Sequence, residues 1–190
     1  MKTRCQWPGK DALMIRYHDE EWGVPVYDDK KWFEYLLLES FQAGLSWKIV
    51  WHKRAGFRRA FHDFDVHKVV RMTPQDVERL TEDSSIIRNR LKIKASITNA
   101  QAFMRVQKEF ESFNSYIWSF TDGKSIHNQF TDLSDIPTST PVSDAMSKDL
   151  KNRGFKFVGS TICYAFMQAA GMVNDHTIDC FRHQEINPLL

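Results

Sequence analysis

Two pairs of soft metal ligands stand at opposite ends of this chain, Cys5 with His18 near the start and His176 with Cys180 near the end. In "GMVNDHTIDCF" the second pair is spaced i, i+4, which brings both side chains to one face of a helical turn. A closed structural zinc site needs four ligands, and the two pairs together make a Cys2His2 set. If they share one ion, everything between them must fold so that its ends meet. No compact finger spacing is present. A Cys5 to Cys180 disulfide, or cysteines buried as small hydrophobes as Cys163 in "STICYAFMQAAG" should be, therefore stay open as alternatives. The start "MKTRCQWPGKDALM" lacks the apolar stretch of a signal peptide, and no segment approaches the ~20 apolar residues of a membrane span. A cytoplasmic, reducing setting is expected, which disfavours the disulfide.

Between the two pairs, helix punctuation recurs, while period-two alternation with hairpin dipeptides is nearly absent. The fold class is therefore all-α, with six to nine helices in a chain of 190 residues that suits one domain, 1–190, or two small lobes sharing a core. "DDKKWFEYLLLESFQAG" supplies an Asp N-cap, a helical run and a terminal Gly, and Ser46 can cap the next helix. "TPQDVERL" places Pro74 at the first helical position after Thr73. Ile86, Ile93, Ile97, Ala100 and Met104 recur at helical spacing and predict a core stripe, with the basic residues of that segment facing water. "TDGKSIHNQFTDLSDIPTSTP" has no period and reads as a long connecting loop, a candidate boundary between lobes.

"LLLESFQAGLSW" puts Glu39 in an apolar helix, with Trp32 and Tyr35 as same-face neighbours. An unpartnered buried carboxylate costs several kcal/mol or takes up a proton. Glu39 is thus either paired structurally or left for a ligand. Trp7, Tyr17, Trp22 and Trp47 lie in turn-rich or helix-start settings where rings can line a pocket, and a carboxylate among rings is how a flipped base is held. "LKNRGFKFVGSTICYAFMQAAG" reads as a helix-hairpin-helix. One helix stops at Gly154, a second starts near Ser160 after Gly159, and Lys151, Arg153 and Lys156 add charge beside a positive helix end. With a net charge of only +2, any basic surface must be local, and this joint is the candidate for gripping a nucleic-acid backbone without reading sequence.

These segments, with "CQWP", "YHDEEWGVP", "FHDFD", "IIRNRLKI", "IPTSTPVSDAMSKDL" and the closing H-x-x-x-C, closely resemble the bacterial 3-methyladenine DNA glycosylase family of the helix-hairpin-helix superfamily, essentially end to end. The resemblance implies a two-lobed helical bundle with the active-site cleft between the lobes. It also implies a structural zinc on Cys5, His18, His176 and Cys180, with double-stranded alkylated DNA held through the hairpin. The reaction it implies is hydrolytic release of 3-methyladenine by an enzyme expected to act as a monomer. Glu39 becomes the active-site carboxylate that hydrogen-bonds the adenine edge, and Tyr17, Trp47 and Trp7 the aromatic surround. Two positions depart: Met14 stands where members often have a pocket Tyr, and Phe41 replaces a residue that is Gln in some relatives. Strand-cleaving relatives carry a Lys where this chain has Thr161, so lyase activity is not expected. Asp175 lies near the place of a catalytic Asp in stronger relatives, but beside two proposed zinc ligands it reads as a cap or a supporting group. The rivals are a zinc-stapled DNA-binding module without chemistry, a glycosylase for other alkylpurines, and a metal-dependent hydrolase.

Overall fold

A computed structural model of the chain describes residues 2–186. Its centre is α2 (Asp29–Gln42), in which every residue from Trp32 to Phe41 is buried. The run "WFEYLLLESF" is apolar on nearly all sides, and such a helix has no solvent face to offer. Asp28 caps it by accepting from the Lys31 amide. Around it pack α3 (Trp47–His52), α7 (Arg90–Phe110), α8 (Phe113–Trp118) and α10 (Ser160–Ala169). The remaining helices are α1 (Ala12–Glu20), α4 (Arg54–Ala60), α5 (Val66–Val69), α6 (Pro74–Glu82), α9 (Pro141–Asn152) and α11 (Phe181–Ile186). No described helix is long and apolar enough to cross a membrane.

Eleven α-helices among the described residues exceed the expected six to nine. The surplus consists of segments of four to seven residues such as α4, α5 and α8, too short to show a 3.6-residue period. Thr73 does cap α6, in a reciprocal box with Asp76 and with Pro74 at the first turn. The expected core stripe needs two corrections. Ile86 is buried but precedes α7, which starts at Arg90. Lys92, expected to face water, is 5% exposed, because its ammonium donates to the carbonyls of Phe41 at 2.7 Å and Ala43. It thereby satisfies the open C-terminal end of α2 with a cation from another helix. The presumed structureless loop holds a two-residue β1 (Ile126–His127), parallel to β2 (Val173–Asn174), and a 3₁₀ turn at Leu133–Asp135.

The two ends of the described chain lie together. Phe181 N donates to Thr3 O at 3.0 Å, Gly23 N to Gln168 O at 3.0 Å, and Val26 N to Ala170 O at 3.1 Å. Gly171 makes that approach possible: its φ is +69°, and a Cβ there would sit 2.3 Å from the Val24 carbonyl carbon.

Candidate active site and metal centre

Helix α2 carries two buried glutamates, Glu34 and Glu39, and they have opposite surroundings. Burial opposes the charge of Glu34, but Arg54 Nε at 2.7 Å and Lys31 Nζ at 3.1 Å overcome it and hold the carboxyl below its usual range. Glu39, 2% exposed, has no such partner, and its Oε2 makes no hydrogen bond. Burial alone pushes its pKa well above the ordinary carboxylate value. Of the two readings open for Glu39, structural pairing is therefore not what the structure shows.

Glu39 lines a cavity of about 310 Å3 with Trp7, Tyr17, Trp22, Gln42 and Trp47, closed by Leu133, Ile136, Ala165 and Gln168. The rings support one another: Tyr17 lies 5.6 Å from Trp47 and 6.0 Å from Trp7 between centroids, and Trp51 backs Tyr17 at 4.1 Å. Among the described residues, five buried side-chain polar atoms have no hydrogen-bond partner, and four of them belong to this wall: Trp7 Nε1, Trp47 Nε1, Glu39 Oε2 and Gln42 Oε1. Buried polar atoms are nearly always satisfied, so such a concentration marks groups arranged for a ligand. All four residues expected here, Glu39, Trp7, Tyr17 and Trp47, line the cavity together. The two suspected departures do not. Phe41 is fully buried against Phe57 and Phe61, and Met14 lines a neighbouring recess with Asp11 and Lys48. Gln42 was missed although it stands three residues after Glu39, a spacing that predicts a shared face. Leu133 and Ile136 come from the segment read as a connector and gave no signal.

Cys5, His18, His176 and Cys180 are all buried, with one ligand atom from each within 4.8 Å of the others. The Cys180 sulfur lies 3.4 Å from His18 Nε2 and 3.4 Å from His176 Nδ1, and the Cys5 sulfur 3.5 Å from His176 Nδ1. Zinc bonds of about 2.3 Å to sulfur and 2.0–2.1 Å to nitrogen at tetrahedral angles require S···N separations of ~3.5 Å. The tautomers also fit. His18 Nδ1 pairs with Asp19 at 2.8 Å and His176 Nε2 with the Trp22 carbonyl at 3.0 Å, which leaves the opposite nitrogens turned inward. The cysteines are free, and the donor set suits a zinc ion.

The joint between α9 and α10 has the expected boundaries but a different charge balance. Gly154 adopts φ +95° after α9, while Gly159 has an ordinary φ of −63° and caps α10. Asn99 pins the turn through both the N–H and the carbonyl of Lys156. Lys151 and Lys156 are exposed. Arg153, expected to add free charge, is instead bound to Asp149 at 2.6 Å and Glu109 at 2.8 Å and stacks on Phe110 and Tyr116. The Ser160 hydroxyl is engaged by Asp144 and Ser143. Asp175 is buried and accepts from Tyr164, Gln168 and Asn128, so its hydrogen bonds support the wall behind the cavity rather than a helix end or a member of the Cys/His cluster.

The profile of the methyladenine glycosylase family matches residues 7–183. The chain belongs to this family. The DNA-3-methyladenine glycosylase 1 of Escherichia coli K12 is 55% identical to it over 93% of this chain and 95% of the relative. The DNA-3-methyladenine glycosylase of Haemophilus influenzae is 49% identical over 95% and 97%. Among solved structures, the Staphylococcus aureus 3-methyladenine DNA glycosylase I, studied for 3-methyladenine recognition, superposes with a TM-score of 0.91 at 38% identity, covering 94% of this chain and 95% of that one. Membership excludes the non-catalytic DNA-binding module as the family-level reading, and the cavity described above lies inside the matched range.

Proposed function

We propose that this chain removes 3-methyladenine from alkylated double-stranded DNA by hydrolysing its N-glycosidic bond, with the base flipped into the Glu39 cavity. The observation that carries the proposal is the lone carboxylate among rings, with four partnerless polar atoms on the residues that line one space. In DNA, 3-methyladenine is cationic and leaves as a neutral base, so the bond is already activated and water can complete the substitution at C1′ without a strong general acid. Selection then does most of the work. Tyr17, Trp47 and Trp7 favour a cationic ring by about 0.5–2 kcal/mol through cation–π attraction, and Glu39 supplies a counter-charge on the base edge. Normal adenine carries no such charge.

The rest of the chain supports that reading. The α9–α10 joint, as a helix-hairpin-helix, holds DNA phosphates through Lys151, Lys156 and the backbone N–H groups from Phe157 to Ser160; Arg153 shapes the joint rather than touching DNA. Thr161 occupies the place of a lyase lysine, and no amine among the described residues lines the cavity, which favours a monofunctional enzyme. Cys5, His18, His176 and Cys180 would hold a structural zinc, which supplies cross-linking rather than chemistry because all four positions are taken. Incubation of the purified protein with methylated DNA tests the function directly. Release of 3-methyladenine with strands left intact is expected, and DNA binding without base release would overturn it.

A further inference from the structure

One polar group of the cavity wall is not used by the reading above. Gln168, on α10, lines the cavity, and its amide nitrogen donates to Asp175 Oδ2 at 2.8 Å. Asp175 is 1% exposed and also accepts from Tyr164 Oη and Asn128 Nδ2, each at 2.7 Å. A carboxylate offers acceptors only, so it decides which arm of the amide it meets: the nitrogen must face Asp175. The carbonyl oxygen is thereby held on the other arm of a side chain that lines the cavity, with no hydrogen bond to any described residue. Asp175 does not itself line the cavity; it acts on the cavity by fixing Gln168.

We propose that Gln168, oriented by Asp175, is a specificity-determining residue that reads the group at C6 of the flipped purine, accepting from an exocyclic amine and rejecting an exocyclic oxygen. The proposal rests on the assignment of this cavity to 3-methyladenine. It deepens that assignment by giving the wall a means of separating adenine-type from guanine-type lesions, which charge alone cannot do because both methylated bases are cationic. The buried unpartnered acceptors of the wall are Glu39 Oε2 and Gln42 Oε1, and the unpartnered donors are the indole N–H groups of Trp7 and Trp47; the Gln168 side-chain carbonyl, whose amide nitrogen is taken by Asp175, adds a third acceptor. An amino group brings two N–H donors to such a set. An oxo group brings lone pairs, leaves the fixed carbonyl facing another acceptor, and loses binding by about tenfold or more. An asparagine in place of Asp175 can donate as well as accept, so it frees the Gln168 amide to turn over and present its nitrogen to the cavity.

The test compares the single-turnover release of 3-methyladenine and 3-methylguanine from one preparation of methylated DNA. Gln168→Met keeps the size of the side chain and removes the acceptor, so the rate ratio of 3-methyladenine to 3-methylguanine should fall about tenfold, chiefly through loss of the first. Asp175→Asn acts through orientation, so the ratio should fall because 3-methylguanine release rises, a change that mere loosening of the structure does not produce. Thermal unfolding and zinc content identify which variants are folded, and either folded variant decides. Rates that fall together with the ratio kept would make the pair structural and overturn the proposal. A parent protein that releases neither base would overturn the assignment of the cavity itself, a different and separately visible failure.

Discussion

At the scale of the single residue, Glu34 and Glu39 show how one helix assigns opposite fates to the same side chain. Ion pairing makes Glu34 a structural charge, whereas burial without a partner leaves Glu39 a group with unmet bonding. Its raised pKa gives a signed prediction. A carboxyl whose folded pKa lies above its unfolded value binds more protons when folded, so its contribution to stability is whole below the unfolded pKa and is lost as pH rises toward the folded one. Glu39→Gln should therefore raise the melting temperature at pH 8 relative to the parent, with the gain vanishing near pH 4, while slowing 3-methyladenine release by about 10- to 100-fold. A variant as stable as the parent at both pH values, and as fast, would return Glu39 to a structural role. Trp47→Ala should weaken binding of free 3-methyladenine by about 1–3 kcal/mol, followed by calorimetry, and unchanged affinity would remove Trp47 from the stack. Glu39 and its rings were legible because a carboxylate in an apolar helix violates patterning. Gln42 and Gln168 violate nothing, since a glutamine at a helix edge is ordinary, and only the cavity distinguishes them.

At the scale of the element, caps and turns were the readable part. Asp28, Thr73 and Gly154 act where local chemistry says they should, because each interaction closes within a few residues. The ion pairing of Arg153 was not legible for the converse reason: one of its carboxylates, Glu109, lies on α7, far away in sequence. The α9–α10 joint then predicts two distinct phenotypes. Lys156→Ala should weaken binding to unrelated DNA duplexes alike and reduce the slope of log K against log salt by about 0.9, as read by fluorescence anisotropy at several salt concentrations. Arg153→Ala should leave that slope unchanged and lower thermal stability instead, since it strips Glu109 and Asp149 of their partner. Equal slope changes in the two variants would put Arg153 back on the DNA.

At the scale of the whole molecule, the split Cys/His pairs constrained the fold most, and their four side chains do come together in the structure, although the small parallel bridge and the short helices between them were invisible to periodicity. Cys180→Ala should lower zinc content and melting temperature together, by metal analysis and calorimetry on the same sample; a fully loaded variant would exclude Cys180 as a ligand. The meeting of the ends also sets a timetable. Trp7 and Tyr17 stand on the cavity wall, and Cys5 and His18 beside them reach their partners only at His176 and Cys180. During synthesis, Cys5 and His18 therefore wait for partners about 160 to 175 residues further along the chain. A nascent chain that had not yet reached His176 would display Trp7 and Tyr17 without the cluster that pins their neighbours, so completing this wall is a late, long-range step of folding.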